Sequence, residues 1–193
     1  MSTNPSRCPW PISGDALYLK YHDEEWGVPV FNDRLVFEFL VLEAFQAGLS
    51  WRTVLYKREN FRKAFANFDF NKVARFTKRD QKRLMKDAGI IRNRLKIAAA
   101  IANAQEFIKV RKEFGTFSKY MWSWVNHKPL VHKFRNLKDY PLFIDEAVSW
   151  AKDLKKRGFK FLGPTVIYAH MQAVGMVNDH TVNCFRYKEL CRK

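Results

Sequence analysis

The chain has 193 residues, which is enough for one compact domain with a buried core. Hydrophobic residues make up 47% and aromatic residues 16% of the sequence, which excludes a disordered protein. No apolar run approaches the roughly 18 residues of a membrane span, and residues 1–13 lack a secretory signal pattern, so we expect a cytoplasmic, nucleoid-associated protein.

Basic residues greatly exceed acidic ones, with 35 Lys and Arg against 19 Asp and Glu and a net charge of +16. A cationic surface attracts phosphate backbones and releases condensed counterions when it binds them. A membrane-surface protein would concentrate this charge in one amphipathic helix, whereas here it is spread along the chain. The composition therefore favours a nucleic-acid partner, with a generally basic soluble protein as the alternative.

Helix signals begin in the first third of the chain. Asn32 or Asp33 can cap a helix that runs to Gly48, which supplies a stop. Ser50 can cap a second helix that continues to about Phe65. The first of these segments is rich in apolar residues on all sides, so we expect it to be buried.

The middle of the chain continues the helical pattern. Thr77 and Asp80 have capping-box spacing and predict a short helix that ends before Gly89. Apolar residues then recur at helical period over residues 97–108. A short aromatic helix is expected to start at about Ser118.

The last third predicts a loop and then two helices. Residues 126–141 are loop-like, a helix begins near Ile144 and ends at Gly158, and Pro164 opens another helix that stops at Gly175. Sustained period-two alternation is absent throughout the sequence. We therefore predict an all-α fold without a substantial sheet, in a single domain spanning residues 1–193.

Four residues near the two ends of the chain form a candidate metal site. Cys8, His22, His180 and Cys184 have the residue types of a closed tetrahedral zinc site, and on a helix His180 and Cys184 share one face. Such a zinc would be structural and would tie the N-terminus to the C-terminal helix. The alternative is four ordinary residues. Cys191 lies in a polar tail and is expected to be a free thiol.

Glu43 is the candidate catalytic residue, because it falls in the middle of an apolar helix. Val36, Phe39, Leu40 and Ala47 surround it on a helical wheel. A buried carboxylate must raise its pKa or meet a cation or hydrogen-bond donors, and such groups often mark functional sites. The alternative is a structural ion pair with one of the many arginines.

Aromatic side chains flank both of these candidate sites. Flipped-out bases stack on aromatic rings, since every base has a π face. Ordinary core packing is the alternative, and the sequence alone favours it. The cluster consists of Trp10, Tyr18, Tyr21, Trp26 and Trp51.

Residues 154–165 predict a turn between two helices that could hold a DNA phosphate. Gly158 and Gly163 bound the turn, Lys160 lies within it, and the backbone N–H groups near Thr165 open the second helix. Glycines, a proline and basic residues coincide here, which favours a helix-hairpin-helix clamp at about residues 145–175. A plain connection with a solvated basic face is the alternative.

Taken together, these segments and several others resemble the type I 3-methyladenine DNA glycosylases, which belong to the helix-hairpin-helix glycosylase superfamily. The matching motifs keep the family's order from residue 8 to residue 184. They are Cys8-Pro-Trp10, Tyr21 to Pro29, Leu42-Glu43, Gln46 to Trp51, Lys57 to Asn60, Asp87 to Arg92, Trp124 to His127, Lys155 to Gly163, Met171 to Ala173 and Asn178 to His180.

The resemblance implies a two-lobed, all-helical fold with a base pocket between the lobes. It implies one structural Zn²⁺ per chain, with the ligands on Cys8, His22, His180 and Cys184. The family's pocket carboxylate falls on Glu43. Its pocket aromatics fall on Tyr21 and Trp51, with Trp10, Tyr18 and Trp26 nearby, and double-stranded DNA with alkylated bases becomes the expected partner of a monomeric protein.

The implied activity is hydrolysis of the N-glycosidic bond of 3-methyladenine, the first step of base excision repair. Lys160 would be a Schiff-base nucleophile only in a bifunctional lyase, and its place in the phosphate-binding turn argues against that role. Asp179 is a rival catalyst, although its position beside His180 favours a structural role. Two further hypotheses compete with this activity: a DNA-binding module without catalysis, and an enzyme that acts on another lesion.

The sequence departs from the family pattern at two places. Ala44 and Phe45 stand where a small or polar pair is more usual. His170 stands where an aromatic residue is expected. We expect these residues to lie near the pocket and to affect base selectivity.

Overall fold

The computed structural model describes residues 5–191, and in this range the protein is mainly helical. Two short 3-10 turns lie at Ala66–Phe68 and Leu137–Asp139. Two strands of two residues each, β1 (Leu130–Val131) and β2 (Val177–Asn178), pair in parallel. The α-helices are α1 (Ala16–Glu24), α2 (Asp33–Gln46), α3 (Trp51–Tyr56), α4 (Arg58–Ala64), α5 (Phe70–Val73), α6 (Lys78–Lys86), α7 (Arg94–Phe114), α8 (Phe117–Ser123), α9 (Asp145–Lys156), α10 (Pro164–Ala173) and α11 (Phe185–Cys191).

Most predicted helix starts are confirmed, and the capping side chains explain why. The Asn32 side chain accepts hydrogen bonds from the first-turn N–H groups of α2, at 3.0 and 3.1 Å. Ser50 accepts from the backbone of Thr53 at the start of α3. Asp80 accepts from both the backbone N–H and the hydroxyl of Thr77, which fixes the start of α6. These bonds satisfy donors that a helix start otherwise leaves free.

The structure differs from the predicted helices in two ways. The helix expected from Ser50 to Phe65 divides at Lys57, whose N–H bonds to the carbonyls of Val54 and Leu55 and so closes α3. The Lys57 ammonium then reaches the carbonyl oxygen of Gly89 at 3.3 Å. Helix α1 was not among the predicted elements, although Asp15 caps it by accepting a hydrogen bond from the backbone of Tyr18.

Helix α2 is the centre of the fold. Every residue from Val36 to Phe45 is buried, and the helix packs against α3, α7, α8 and α10. A helix that is apolar on all sides can only be stable inside a core. Side chains of α2 are therefore held rigidly by several neighbouring helices, which suits a residue that must keep a fixed position.

A buried lysine closes the carboxyl end of α2. The Nζ of Lys96, on α7, donates to the carbonyl oxygens of Phe45 at 2.9 Å and Ala47 at 2.6 Å. Burial lowers the pKa of Lys96 from its usual value. A cation at the last carbonyls of a helix satisfies free acceptors and complements the helix dipole. Lys96 thereby fixes the end of α2 against α7.

The two ends of the described chain meet beside α11. The backbone N–H of Phe185 donates to the carbonyl of Ser6 at 2.8 Å, and the N–H of Thr181 donates to the Cys8 sulfur at 3.4 Å. The buried residues from Cys8 to Cys184 belong to one hydrophobic cluster. The N-terminal segment is consequently packed into the same core as the C-terminal helices.

Candidate active site and metal centre

A cavity of about 320 Å³ opens between α1, α2, α3 and α10. All five aromatic residues predicted from the sequence border it, as does Glu43. Its full lining is Trp10, Tyr18, Tyr21, Trp26, Glu43, Gln46, Trp51, Leu137, Tyr140, Ala169 and Gln172.

The aromatic rings of the cavity support one another. The centroids of Trp10 and Tyr18 are 5.3 Å apart, and Trp10 meets Trp26 edge to face at 4.9 Å. Tyr21, from α1, and Trp51, at the start of α3, lie 5.1 Å apart. Such spacings are typical of attractive aromatic pairs. The rings form a preorganised apolar wall with faces available to a flat molecule.

Glu43 extends from the central helix into this aromatic surrounding. Only 4% of the residue is exposed, and its Oε2 has no hydrogen-bond partner among residues 5–191. Burial raises the pKa of Glu43 to about 8, because a low dielectric disfavours the charged form. The carboxyl group is therefore a costly feature for the folded protein, and a cation entering the cavity would complement it.

Glu38, on the same helix, is a buried carboxylate with a structural role and can be compared with Glu43. Arg58 donates to it at 2.5 Å and Arg62 at 2.7 Å. Arg58 is itself held by Glu25 at 2.6 Å. The ion-pair alternative considered for Glu43 thus applies to Glu38, and among the described residues no basic side chain pairs with Glu43.

The four predicted metal ligands lie together and are buried. Their ligand atoms are all within 4.8 Å of one another. The Nδ1 of His180 is 3.4 Å from the sulfur of Cys8 and 3.4 Å from that of Cys184. The Nε2 of His22 is 3.6 Å from the Cys184 sulfur. Four donors on opposite ends of the chain therefore form one cluster that could hold a metal ion.

Neighbouring groups orient both histidines of this cluster. Asp23 lies 2.7 Å from the Nδ1 of His22, and the backbone oxygen of Trp26 lies 2.9 Å from the Nε2 of His180. Each partner accepts a ring N–H, which leaves the other nitrogen with its lone pair towards the sulfurs. Metal-binding histidines commonly have such partners. Trp26 also joins the cluster to the cavity wall.

The two thiols of the cluster shift each other's pKa in opposite directions. A hydrogen bond between Cys8 and Cys184 lowers the pKa of Cys184 and raises that of Cys8, and burial also raises the pKa of Cys8. The backbone N–H of Thr181 also donates to the Cys8 sulfur. An environment that stabilises thiolate is the one that a metal-binding cysteine requires.

The expected helical arrangement of His180 and Cys184 is wrong. These residues lie in a turn, with the N–H of Cys184 bonded to the carbonyl of Thr181 at 2.8 Å, and α11 begins only at Phe185. The turn achieves the same approach of ligand atoms that one helix face would give. Cys191, at the end of α11, is exposed and free, as predicted.

The predicted hairpin connects α9 to α10 through residues 157–163. Gly158 has a φ of +95°, a conformation that suits glycine and that turns the chain away from α9. Asn103, buried on α7, donates to the carbonyl of Lys160 at 2.9 Å and accepts from its N–H at 2.8 Å. A helix outside the hairpin thus fixes the backbone of the turn.

The start of α10 is open to solvent. Gly163 caps the helix with an ordinary φ of −73°, and a Cβ placed there would meet no atom within 4 Å. Thr165 is exposed in the first turn, after Pro164. Lys160 and Gly163 border a separate hollow of about 540 Å³, and neither borders the aromatic cavity.

The sequence matches a known protein family over most of its length. The model of the methyladenine glycosylase family matches residues 10–187. The DNA-3-methyladenine glycosylase 1 of Escherichia coli (strain K12) is 49% identical over 181 residues, which cover 94% of this chain and 96% of that protein. The chain belongs to the methyladenine glycosylase family. This result confirms the family and the enzyme class predicted from the sequence.

Solved structures agree with this assignment. A crystal structure of 3-methyladenine DNA glycosylase I superposes with a TM-score of 0.90 at 46% identity, covering 93% of this chain and 98% of that one. A variant of 3-methyladenine DNA glycosylase I, crystallised in complex with 3-methyladenine, gives a TM-score of 0.88 at 38% identity, covering 91% and 94% of the two chains. Among residues 5–191 of this glycosylase, no helix is long and apolar enough to cross a membrane.

Asp179 of this glycosylase is buried, does not border the cavity, and has a carboxylate that contacts three side chains. Its Oδ1 lies 2.5 Å from the Nδ1 of His132, and its Oδ2 accepts from the Tyr168 hydroxyl at 2.6 Å and from the Nε2 of Gln172 at 2.8 Å. The hydrogen bond to Asp179 raises the pKa of His132. Three hydrogen bonds hold the Asp179 carboxylate against neighbouring side chains, and Asp179 does not border the cavity.

The departures from the family pattern lie in the core and not on the cavity surface. Ala44 and Phe45 are buried on α2, and Phe45 packs against Phe61 with the ring centroids 4.8 Å apart. His170 is completely buried beside Trp150, and the centroids of the two rings are 5.7 Å apart. None of the three borders the cavity, so any effect of theirs on base selectivity has to act through packing and not through contact with the base.

Five cavity-lining residues were not singled out by their sequence pattern: Gln46, Leu137, Tyr140, Ala169 and Gln172. Gln46 and Gln172 lie within motifs that were recognised, but glutamine is too common at helix surfaces for its presence to indicate a site. Leu137 and Tyr140 come from the segment predicted as a loop. Residue types and spacing carry no signal for a loop residue that reaches a cavity through the tertiary fold.

His170 supports a prediction about acid stability. Neither ring nitrogen has a hydrogen-bond partner among the described residues, and burial lowers the pKa to about 3. The unfolded chain binds a proton near pH 6.5 and the folded chain does not, so stability is lost as the pH falls below that value, by about 1.4 kcal/mol per pH unit. We expect His170→Phe to raise the Tm at pH 7 and to raise it further at pH 5, measured by thermal unfolding.

The control for this experiment is His127→Asn, which removes an exposed imidazole at a position with a φ of +60° that asparagine tolerates. We expect its Tm difference from the parent protein to be the same at both pH values. A His170→Phe difference that does not grow on acidification would contradict the buried, neutral state of His170.

Proposed function

We propose that this enzyme hydrolyses the N-glycosidic bond of 3-methyladenine in alkylated double-stranded DNA and acts as a monofunctional glycosylase. The observation that carries the proposal is the buried carboxyl group of Glu43, whose Oε2 has no partner among residues 5–191, in a base-sized cavity lined by aromatic rings. The relatives support the same substrate, since one is named for 3-methyladenine and another was crystallised with it.

The chemistry of the lesion matches the cavity. Methylation at N3 places a positive charge on adenine and weakens its bond to the sugar. In the cavity Tyr21 and Trp51 offer ring faces for stacking and cation–π attraction, and Glu43 accepts hydrogen bonds and complements the charge. An unmodified adenine lacks that charge and leaves Glu43 without a counter-ion.

The reaction then requires little from the protein beyond binding and orientation. The nucleotide turns out of the duplex so that its base enters the cavity. The C1′–N9 bond breaks and the base takes both electrons, leaving as neutral 3-methyladenine. The oxygen of a water molecule forms the new bond to C1′ and releases a proton to solvent. No lysine borders the described cavity, which favours hydrolysis over a Schiff-base mechanism.

The α9–α10 hairpin is proposed to hold the DNA backbone as a helix-hairpin-helix clamp. The turn presents Gly158, Lys160, Gly163 and Thr165, and the N–H groups at the start of α10 favour an anion. Asn103 holds the Lys160 backbone in place. The net charge of +16 adds a nonspecific attraction for DNA.

Gly163→Ala tests the clamp without disturbing the fold. The φ of Gly163 is ordinary and its Cβ position is empty, so we expect an unchanged Tm. A methyl group at the helix start would hold a phosphate away from the N–H groups, so DNA affinity should fall by about tenfold, on the scale of one lost charged hydrogen bond. Fluorescence anisotropy with a short duplex at fixed salt measures this change.

Gly158→Ala is the informative comparison, because its φ of +95° makes alanine strained there. That variant should lose stability by about 1 kcal/mol. Unchanged DNA affinity in Gly163→Ala would remove the start of α10 from the DNA interface.

We also propose that the Cys8, His22, His180 and Cys184 cluster holds one structural Zn²⁺. Zinc distances of about 2.3 Å to sulfur and 2.0–2.1 Å to nitrogen place tetrahedral sulfur and nitrogen ligands about 3.5 Å apart. The observed separations of 3.4–3.6 Å fit that requirement. When bound, the ion supplies a cross-link between the N-terminal segment and the turn before α11, and four protein ligands leave no position for a substrate.

The described residues pack around one core, which supports a single glycosylase domain. In the proposed arrangement the aromatic cavity lies between two lobes of that domain, which acts as a monomer. Helix α10 carries the hairpin at its start and Gln172 of the cavity near its end. One rigid helix therefore relates the position of the DNA backbone to the position of the extruded base.

One assay decides the proposed reaction. Duplex DNA treated with a methylating agent is incubated with the enzyme, and the released bases are separated by chromatography. We expect 3-methyladenine from methylated DNA and no adenine from an untreated duplex. Absence of 3-methyladenine would overturn the proposal, and a borohydride-trapped adduct with abasic DNA would indicate a lyase instead.

A further inference from the structure

The Gln172 side chain borders the cavity with one of its two polar ends already occupied. Its Nε2 donates to the Oδ2 of Asp179 at 2.8 Å. Asp179 is only 1% exposed, so the accepting end of this bond is buried. The amide nitrogen is therefore directed towards Asp179, and the amide oxygen has no hydrogen bond to residues 5–191.

The orientation of this amide is not free to reverse. A carboxylate can only accept, so the Gln172 oxygen cannot replace its nitrogen towards Asp179. Asp179 is fixed in turn by the Nδ1 of His132 at 2.5 Å and the hydroxyl of Tyr168 at 2.6 Å. His132 packs on Phe134 with the ring centroids 5.1 Å apart, which restrains the outer member of the network.

We propose that Gln172 presents its Oε1 to the cavity and selects bases with an amino group at position 6. Asp179 acts as a positioning residue, because it determines which end of the amide meets the base. The inference rests on the proposed function, since it requires an extruded purine in the cavity. It adds a selection that is independent of the base's charge, because Gln172 is neutral.

The selection follows from hydrogen-bond complementarity. The 6-amino group of an adenine-type base donates to Oε1, whereas the 6-carbonyl of a guanine-type or hypoxanthine-type base would place two acceptors together. A desolvated acceptor without a donor is costly, and sites built for a donor reject analogues that lack it. Glu43 responds to positive charge on the base, so charge and amino group are recognised by different residues.

Binding of two free bases isolates this effect. 3-Methyladenine and 3-methylhypoxanthine differ in having an amino or a carbonyl group at position 6, and quenching of the fluorescence of the cavity tryptophans reports their binding. We expect the native protein to prefer 3-methyladenine and Gln172→Met to lose that preference by about tenfold or more. Binding of 3-methyladenine should weaken, whereas binding of 3-methylhypoxanthine should improve because the opposed acceptor is gone.

Gln105→Met is the matched control, because Gln105 is exposed on α7 and its side chain bonds only to the carbonyl of Ala74 in the described structure. It should leave both affinities unchanged. A Gln172→Met variant whose affinities for the two bases fall equally would overturn the selection and show a structural role only.

Asp179→Asn tests the positioning step. An asparagine that accepts from His132 turns its own NH₂ towards Gln172, whose amide must then reverse. We expect the preference to shift towards 3-methylhypoxanthine, and the zinc content is measured in parallel because His180 is adjacent. An unchanged preference at unchanged zinc content would overturn the role of Asp179.

These results are separable from the proposed reaction. Release of 3-methyladenine from methylated DNA by the native enzyme tests the reaction by itself. If that release occurs and the Gln172→Met preference equals the native one, only the inference about Gln172 fails.

Discussion

Glu43→Gln should reduce the rate of 3-methyladenine release by about 10²–10³-fold, the usual effect of removing one preorganised electrostatic group from an active site. Glutamine keeps the size of the side chain and its carbonyl acceptor but removes the negative charge. Single-turnover excision from methylated duplex, followed by chromatography, measures the loss. DNA affinity should remain close to native, because Glu43 lies in the cavity and not at the hairpin.

Glu38→Gln provides a control on the same helix. Glu38 is buried like Glu43 but is held by Arg58 and Arg62, so its replacement leaves the buried Arg58 with only the more exposed Glu25 as a partner. We expect a loss of about 3–5 kcal/mol in stability with little change in excision per folded molecule. Glu43→Gln should show the opposite pattern. Native-like excision by Glu43→Gln would remove Glu43 from the mechanism.

The pH dependence of the native enzyme distinguishes two roles for Glu43. Its pKa of about 8 in the free protein means that the group is neutral below that value. If the ionised form complements the cationic base, kcat/KM rises with pH by up to about tenfold per unit and levels off above pH 8. A proton donor would give the reverse slope. We expect the rising profile, and a flat one in Glu43→Gln.

The same titration predicts a stability difference. The folded carboxyl holds its proton up to about pH 8, whereas in the unfolded chain it ionises near its ordinary value of 4.5. The native protein therefore loses stability as the pH rises between these two values. Glu43→Gln lacks this loss, so its Tm should exceed the native Tm more at pH 9 than at pH 5.

Local sequence patterns account for much of the fold. The side chains of Asn32, Ser50 and Thr77 mark helix starts because capping is a short-range interaction. The apolar run of α2 predicts its burial, and hence the unusual position of Glu43. The residue types of Cys8 and His180 suggest a metal site even though 172 positions separate them.

Long-range contacts account for what the sequence could not show. The pairing of Glu38 and the isolation of Glu43 depend on where α4 places Arg58 and Arg62, which no spacing rule gives. Similarly, Asn103 reaches the hairpin from a helix 57 positions away in the chain. Such residues have common types at ordinary spacings, and only the packed structure relates them to the site.

We expect the Cys184→Ser variant to lose its bound metal and, with it, much of its stability. Cys184 contacts both histidine ligands of the cluster, at 3.4 and 3.6 Å, and serine is a poor replacement for a thiolate on zinc. Elemental analysis should give one zinc per native chain and none per variant chain. Because zinc binding is coupled to folding, the Tm should fall by well over about 10 °C, on the scale of several kcal/mol.

Cys191→Ser separates this effect from the loss of any thiol, since Cys191 is free and exposed. That variant should match the native protein in zinc content and Tm. A chelator should lower the native Tm towards that of Cys184→Ser and leave the variant unaffected. The cluster fastens the N-terminal segment that carries Trp10, and Trp26 joins it to the cavity, so metal loss should also weaken 3-methyladenine binding. A native preparation that is free of metal and equally stable with and without chelator would refute the zinc assignment.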